Sequence, residues 1–308
     1  MILGEHAVLN NYLSLVAAIS SRIYLDSSFR SDKKIRIFSD DKFLETDSDH
    51  LPGLWKSPES REFNYILNTI ETCQSLYSEP KGMDLRFRSE IPTSIGLGSS
   101  AAVVAVTCAA ILSRFTKVEE IHSLGLKIIK RIQGAGSGAD LAASIYGGLI
   151  QYRQPKDKSE AEIKQLKNLP SIVLFYSGSN KPTGEVIKIV DKWRQDHPEL
   201  ATKIFQSMNK SIVESVEAIN KQQWSRLGEL IDTNYSFQKT MQLTNPEIEN
   251  LVKIVKQDPK IIGVKIAGSG LGDCILGLTK PRIDWSSFNA QLKVQPIVIS
   301  KRGIEIQK

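Results

Sequence analysis

The stretch that decides the fold reads Pro92-Thr93-Ser94-Ile95-Gly96-Leu97-Gly98-Ser99-Ser100-Ala101-Ala102, and an apolar run of small residues from Val103 to Leu112 follows it. Before it, residues Met83 to Ile91 alternate apolar and polar side chains, which is the pattern of a strand with one buried face. We therefore expect a strand, a glycine-containing loop and then a helix that begins near Ser99.

The loop has the composition of a phosphate-binding site. Gly96 and Gly98 permit backbone angles that larger residues disfavour, and they let amide N–H groups approach an anion closely. The first turn of the helix adds unpaired N–H donors and the positive end of the helix dipole. Ser99 and Ser100 can cap the helix, and one hydroxyl can reach Mg²⁺. A turn that simply caps a buried helix explains the same letters, so this alternative stays open.

Length and composition limit the class of protein. A chain of 308 residues that is 41% hydrophobic can bury a large core and form two lobes. Its longest apolar run is shorter than the roughly 20 residues of a membrane span, and its start shows no cationic-then-apolar leader, so we expect a cytoplasmic protein that binds no membrane. The three cysteines are widely spaced and fit neither a metal site nor a disulfide framework. The net charge of +6 is dispersed, which suits anionic small molecules and gives no indication of nucleic acid.

Three further clusters combine glycine with polar residues. They are Gly4-Glu5-His6-Ala7-Val8, Gly136-Ser137-Gly138-Ala139-Asp140 and Gly268-Ser269-Gly270-Leu271-Gly272-Asp273-Cys274. Apolar strands are predicted on both sides of the last cluster, at Ile261–Ile266 and Ile275–Leu278. Taken singly, the clusters are explained as a surface turn, a helix capped by Asp140 and a tight hairpin.

Taken together and in this order, the clusters resemble the motifs of the GHMP kinases, the superfamily named for galactokinase, homoserine kinase, mevalonate kinase and phosphomevalonate kinase. The 92–102 stretch resembles their ATP-phosphate loop, and G-E-H-A-V resembles the first motif of mevalonate kinases. G-S-G-A-D is similar to the segment that carries the catalytic aspartate in mevalonate and phosphomevalonate kinases. G-S-G-L-G-D-C resembles the third motif, a backbone shelf beside phosphates and substrate.

The resemblance implies an α+β fold of two lobes. The N-terminal lobe would be ribosomal protein S5 domain 2-like with a left-handed β-α-β unit, and the C-terminal lobe would be ferredoxin-like. We place the boundary in the charged segment 154–167, which gives an ATP-binding domain at 1–155 and a C-terminal domain at 156–308.

The resemblance also implies roles for individual residues. Asp140 matches the catalytic aspartate, which can accept the proton of the substrate hydroxyl as it attacks the γ-phosphorus. Substrate contacts are implied for Glu5, His6, Ser137, Lys181, Thr183, Gly268 and Ser269. ATP contacts are implied for Pro92, Gly96, Leu97, Gly98, Ser99, Ser100 and Ala101, with Ser100 also a ligand of Mg²⁺.

Two positions depart from the family pattern. Mevalonate kinases usually carry a lysine five residues before the glycine of G-E-H, and Gly4 has only three residues ahead of it, so either the start shown is truncated or the chain lacks that lysine. Many mevalonate kinases also place a magnesium-binding glutamate eleven residues before the catalytic aspartate, where this chain has Ile129. The acidic ligand of Mg²⁺ therefore stays unassigned.

The expected function is ATP-dependent phosphorylation of mevalonate to 5-phosphomevalonate, a step in the synthesis of isoprenoid precursors. Phosphomevalonate kinase is the first alternative, because the D-C ending of the third motif and the Q-G-A-G-S-G-A-D segment favour it. A protein that kept the fold but binds nucleotide or metabolite without catalysis is an alternative of another class. The expected partners are ATP, Mg²⁺ and a small-molecule substrate, and a homodimer is left open.

Overall fold

The computed structural model describes residues 1–76, 82–91, 96–112, 118–156, 160–178, 181–272, 274–281, 288 and 294–307. The chain forms two compact units, each assembled from segments that are distant in sequence. The first unit comprises Met1–Ser20, Ser94–Gly96 and Gly147–Lys301, and the second comprises Ser21–Thr93, Leu97–Tyr146 and Arg302–Lys308. The division into domains at 1–155 and 156–308 remains a prediction.

Strands and helices are interspersed along the chain. The strands are β1 (Ser14–Ala17), β2 (Ile23–Phe29), β3 (Lys34–Ser39), β4 (Lys42–Asp47), β5 (Met83–Ser89), β6 (Leu149–Arg153), β7 (Glu162–Leu166), β8 (Ser171–Tyr176), β9 (Ile261–Ile266), β10 (Cys274–Thr279) and β11 (Val294–Ile297). The helices are α1 (Asn64–Gln74), α2 (Ser99–Leu112), α3 (Val118–Gln133), α4 (Ala139–Tyr146), α5 (Thr183–Asp196), α6 (Pro198–Asn220), α7 (Trp224–Thr240) and α8 (Pro246–Val255). Within the described ranges, every helix is too short or too polar to cross a lipid bilayer.

The second unit contains a four-stranded sheet in the order β2-β5-β3-β4. Strands β3 and β5 run parallel, and the chain between them passes through α1, as a β-α-β unit requires. Leu85 and Phe87 of β5 point into the core, while Arg86 and Arg88 are exposed, so the alternation in the sequence correctly predicted this strand. The sheet therefore has one buried face, which the helices cover.

Helix α2 lies at the centre of the second unit and packs against α1, α3 and α4. Its side chains are small and apolar almost all round, which is typical of a helix that is buried on most of its surface. The prediction of a strand, a loop and a helix beginning near Ser99 is confirmed. The packing fixes the position of the N-terminus of α2, where the predicted phosphate loop ends.

The first unit contains two sheets. One has three antiparallel strands in the order β1-β6-β7, and the other has four antiparallel strands in the order β11-β8-β10-β9. Numbered by position in the chain, the four strands of the second sheet lie in the order 4-1-3-2, which is the ferredoxin-like arrangement. Helices α5 to α8 share a hydrophobic core with this sheet, built around Phe175, Trp193, Phe205, Met208, Val264 and Ile266.

Strands β4 and β7 are among those that the sequence pattern did not predict. Strand β4 follows β3 directly, and the charged segment 154–167 contains β7. Both lie at a sheet edge, and most of their side chains are exposed or half-buried. An edge strand of this kind needs little hydrophobic alternation, because cross-strand ion pairs such as Arg36–Glu45 (Nε–Oε2 2.6 Å) supply side-chain contacts.

Glycines let one helix and one strand of the first unit approach unusually closely. A Cβ atom placed on Gly228 of α7 would lie 1.9 Å from the carbonyl oxygen of Ile262, and one placed on Gly263 of β9 would lie 2.7 Å from the Gly228 Cα atom. In an ordinary helix, replacing glycine by alanine stabilises by about 1 kcal/mol. Here the added methyl group has no room.

We therefore expect Gly228→Ala to lower the free energy of unfolding by about 1–3 kcal/mol, the scale of an overpacked core. Chemical denaturation measures the change. Gly184→Ala in α5 is the matched control, because a Cβ at Gly184 meets no atom within 4 Å and should leave stability unchanged or raise it by up to about 1 kcal/mol. A stabilising effect of both substitutions would contradict the close contact between α7 and β9.

Candidate active site

Residues 96–98, the part of the phosphate loop that the structure describes, lead directly into α2. Gly98 has φ 78°, a backbone conformation that favours glycine, and its carbonyl oxygen accepts a hydrogen bond from Ala102 N–H at 3.1 Å. Gly98 is thus the capping residue, and the expectation that Ser99 and Ser100 cap α2 is wrong because both lie inside the helix. Among the residues that the structure describes, the amide groups of residues 99–101 have no acceptor, so they can bind an anion.

Asp140 lies beside this loop end. It is the second residue of α4 and is exposed to solvent. A Cβ atom on Gly98 would lie 3.6 Å from Asp140 Cβ and 3.8 Å from its carboxyl carbon. Two motifs that the sequence places about 40 residues apart therefore lie side by side, with a carboxylate close to the N-terminus of α2.

Asp140 does not cap its own helix. The Ser137 hydroxyl accepts from Ala139 N–H at 3.2 Å, and the Gly138 carbonyl accepts from Ala142 N–H at 2.9 Å. The alternative in which Asp140 is an N-cap is wrong, since the residues before it perform that role. The Asp140 carboxylate is thus available for a ligand, while the predicted contact of Ser137 with substrate remains a prediction.

His122 supports the start of α4 and was not predicted as a site residue. It is buried on α3, and its Nε2 lies 3.1 Å from the Gly138 carbonyl oxygen. Because a carbonyl can only accept, Nε2 carries the proton. Burial lowers the pKa of the His122 ring below its usual 6.5, so the ring is neutral near pH 7. A single histidine in a helix of mixed polarity carries no signal in the sequence for this contact.

The position of the family's second acidic ligand is apolar in the structure as well as in the sequence. Ile129 is buried in the core of the second unit, and its Cγ2 would lie 2.8 Å from a Cβ atom on Gly136. Across the described residues, no group of three or more His, Cys, Asp or Glu side chains could hold a metal ion. The Ser100 hydroxyl and the Asp140 carboxylate are oxygen donors of the kind that Mg²⁺ accepts, together with phosphates and water.

The first unit contains a second cluster, around the G-E-H turn. Glu5 and His6 are 5% and 6% exposed, so the interpretation of both as surface turn residues is wrong. Glu5 Oε1 lies 2.5 Å from Nζ of Lys265, a fully buried residue of β9 that was not predicted as a site residue. Charged groups are buried only when they are paired, and each of these two residues provides the partner of the other.

His6 joins the first and third motifs. Its Nε2 lies 2.7 Å from the carbonyl oxygen of Ser269, so Nε2 is the protonated nitrogen and Nδ1 is left as an acceptor. Burial lowers the pKa of His6 below 6.5, and the contact with Ser269 and the charges of Glu5 and Asp191 oppose this effect only in part. A neutral imidazole that is an acceptor at Nδ1 can receive a hydrogen bond from a substrate hydroxyl.

The other predicted residues take different positions. Lys181 is half-buried just before α5, and Thr183 is the exposed first residue of that helix. Helix α5 reaches the G-E-H turn through Arg194, which donates to the Asn10 side chain, and Asn10 in turn donates to the His6 carbonyl at 3.2 Å. Gly96 is exposed, Leu97 is half-buried, and Pro92 lies outside the described residues. The roles of these residues in ligand binding remain predictions.

Comparison with known proteins agrees with these two clusters. The model of the GHMP kinases N terminal domain matches residues 64–148, and that of the GHMP kinases C terminal domain matches residues 215–286. A mevalonate kinase of Pyrococcus horikoshii is 30% identical over 304 residues, which cover 92% of this chain and 87% of the relative. The chain belongs to the GHMP kinases.

Other GHMP kinases extend the match to the full chain. A mevalonate kinase of Thermococcus sibiricus is 29% identical over 334 residues, with coverage of 100% of this chain and 96% of the relative. The crystal structure of the Methanococcus jannaschii mevalonate kinase superimposes with a TM-score of 0.79, at 22% identity over 97% of this chain and 95% of that one. The predicted two-lobe α+β fold of GHMP kinases is thus confirmed, and membership implies that the protein uses ATP.

The two buried histidines should make stability depend on pH. In the unfolded chain each ring titrates near 6.5, whereas in the folded protein its pKa is lower. The unfolded state therefore binds more protons as the pH falls below about 6.5, and the free energy of unfolding decreases by up to about 1.4 kcal/mol per pH unit for each ring. His122→Gln keeps a donor for the Gly138 carbonyl and should flatten this decrease.

Denaturation at pH 7.5, 6.5 and 5.5 measures the effect. His50→Gln is the control, because His50 is exposed, and it should keep the pH dependence of the unsubstituted protein. Equal pH dependence in His122→Gln and the unsubstituted protein would show that His122 binds protons alike in both states.

Proposed function

We propose that this protein transfers the γ-phosphoryl group of ATP to the 5-hydroxyl of mevalonate, forming 5-phosphomevalonate and ADP. The observation that carries the reaction is the Asp140 carboxylate beside Gly98 at the N-terminus of α2. The mevalonate kinases that match the full chain at about 30% identity support the choice of substrate. The two observations are independent, because one is local geometry and the other is overall similarity.

The phosphates of ATP would bind at the start of α2. The unpaired amides of residues 99–101 point out of the first turn, where the helix dipole favours negative charge. Gly98 has no side chain to obstruct a phosphate there, and its φ of 78° turns the chain into the helix. These fixed dipoles need no rearrangement as charge develops on the transferred group, so they stabilise the transition state.

Asp140 would orient the acceptor hydroxyl and take its proton. Its exposed carboxylate is an acceptor near the predicted position of the γ-phosphate, and the proton moves to it as the hydroxyl oxygen attacks phosphorus. Phosphoryl transfer has a loose transition state, so alignment and charge stabilisation contribute more than proton removal itself.

Asp140 and Ser100 are the residues whose side chains would hold Mg²⁺, because carboxylate and hydroxyl oxygens are ligands that this ion accepts. A carboxylate and a polyphosphate repel each other, and a bound cation would offset that repulsion. The bound ion would supply neutralisation of charge on the phosphates.

The cluster of the first unit contains further residues that are predicted to contact the acceptor. The His6 ring offers Nδ1 as an acceptor, and the backbone at Gly268 and Ser269 is half-buried within the third motif. Lys181 and Thr183 are secondary candidates for the acid group of the substrate. Phosphomevalonate differs from mevalonate by one phosphate, which a few cationic side chains suffice to select, so it is the competing substrate.

An assay of ADP release with mevalonate, phosphomevalonate, galactose and homoserine tests the proposal. Turnover should be fastest with mevalonate. Turnover with phosphomevalonate alone would show that the protein is a phosphomevalonate kinase. Binding of ATP without ADP release in the presence of any of the four acceptors would favour the non-catalytic alternative.

Asp140→Asn should lower kcat by roughly two decades or more, the scale of a positioned acid–base group. The melting temperature should stay close to that of the unsubstituted protein, because Asp140 is exposed and does not cap α4. Affinity for ATP should stay the same or increase, since a negative charge near the phosphates is removed. Single-turnover rates, melting curves and nucleotide titrations on one preparation measure the three quantities.

Glu120→Gln is the matched control, because Glu120 is also an exposed acid in the first turn of a helix of the second unit. It should keep kcat. If the Asp140→Asn variant is folded and has a near-normal rate, another group accepts the proton of the acceptor hydroxyl. If the variant is unfolded, Asp140 has a structural role.

Ser100→Ala should raise the concentration of Mg²⁺ needed for half-maximal rate by roughly tenfold, a scale typical of groups that support a metal site. The helix should be unaffected, because Ser100 does not cap it and alanine has the higher helix propensity. Titration of Mg²⁺ against rate, with ATP saturating, measures the change. The same magnesium dependence in both proteins would remove Ser100 from the metal site.

A further inference from the structure

Lys265 is a charged residue in a position that otherwise suits an apolar one. It is the fifth residue of β9, it is 0% exposed, and its neighbours Val264 and Ile266 are buried in the core of the first unit. A buried ammonium group is unfavourable unless its charge and its N–H donors are satisfied. The contacts of Lys265 explain how its charge and its N–H donors are satisfied.

The Nζ atom of Lys265 has two acceptors. One is Glu5 Oε1 at 2.5 Å, and the other is the carbonyl oxygen of Ile266 at 2.5 Å. The second carboxylate oxygen, Glu5 Oε2, is buried and has no hydrogen-bond partner among the residues that the structure describes. Buried carboxylate oxygens are nearly always paired, so an open one points to a donor that comes from a ligand.

The lysine determines which oxygen stays open. Since Nζ holds Oε1 and is itself held by the Ile266 carbonyl, the carboxylate cannot rotate without losing its ion pair. The next residue, His6, is bonded to Ser269, four residues beyond Lys265. Two adjacent residues of the G-E-H turn are thus attached to the end of β9 and the turn that follows it, which limits the motion of both.

We propose that Lys265 is a positioning residue for ligand binding, which acts by holding Glu5 so that Oε2 accepts a hydrogen bond from an O–H donor. That donor is a hydroxyl of the acceptor substrate. The inference rests on the proposed function, because it assigns the open oxygen to a ligand of the same reaction. Both oxygens of an ionised carboxylate can only accept, and a hydrogen bond to an ionised carboxylate is stronger than one to a neutral group.

Substitution of Glu5 by glutamine tests the orientation directly. In Glu5→Gln, Lys265 still requires an oxygen at the Oε1 position, so the amide nitrogen is forced into the Oε2 position. A donor then faces a donor, and kcat/KM should fall by roughly tenfold to a hundredfold, the scale of one hydrogen bond to a charged group. In the double variant Glu5→Gln with Lys265→Met, the amide is free to turn its oxygen to the ligand, so kcat/KM should be higher than in Glu5→Gln alone.

Lys265→Met alone leaves the Glu5 carboxylate without its ion pair, so the side chain is no longer held in one orientation. We expect kcat/KM to fall by about tenfold or more, mostly through KM of one ligand, with the other ligands unaffected. A raised KM for mevalonate supports the assignment of the donor as a substrate hydroxyl, and a rise in the KM for ATP alone would contradict it. Lys256→Met is the control, because Lys256 pairs with Asp232 at 2.9 Å, is half exposed and lies in the same unit, and its rate should not change.

The kinetics are measured below the melting temperature of each variant and are referred to folded protein. Losses that follow the melting temperatures alone, or a double variant no more active than Glu5→Gln, would make the ion pair purely structural. If Lys265→Met does not fold, the comparison of Glu5→Gln with the double variant still tests the role of Lys265, because the amide oxygen in Glu5→Gln still accepts from Lys265 and the double variant contains neither buried charge.

The activity of the unsubstituted protein separates this inference from the proposed function. If it turns over phosphomevalonate instead of mevalonate, the proposed substrate is wrong, and the four variants are compared on phosphomevalonate. If it turns over no acceptor, the same comparison is made on the shift in melting temperature caused by mevalonate, with and without MgATP. Equal shifts in all variants would overturn the role of Lys265.

Discussion

The buried ion pair between Lys265 and Glu5 is the constraint on which the first unit depends. Neither charge could be buried without the other, so the start of the chain has to lie against the end of β9. The hydrogen bond between His6 and Ser269 then follows, because it joins the adjacent residues of the same two segments. One electrostatic requirement thus brings together two motifs from opposite ends of the chain.

In the second unit the corresponding constraint is the N-terminus of α2, whose backbone amides must stay accessible to a ligand. Helix α2 is buried on most of its surface, and that burial holds its N-terminus in place. Gly98 caps the helix through its backbone alone, and Asp140 is relieved of capping by Ser137 and Gly138. The groups proposed to contact ATP are therefore held in place by other residues and do not cap a helix themselves. Electrostatic preorganisation requires groups that are fixed in this way before the reaction.

Much of the fold and the positions of the motifs could be predicted, whereas the supporting residues could not. Strand β5 and helix α2 have clear signals, namely alternation and a run of small apolar residues. Strands β4 and β7 do not, because edge strands with exposed side chains need no alternation. His122 was missed for a related reason, since its role depends on a carbonyl group presented by another element.

The sequence by itself determined the fold class and the identity of the motifs, because a glycine at a turn or alternation along a strand reflects local backbone geometry that nearby residues specify. Only the tertiary structure decided that Glu5 is buried, that Lys265 is its partner and that Gly98 lies against Asp140. These contacts join residues far apart in the chain, and their strength comes from burial, which exists only after the core has formed.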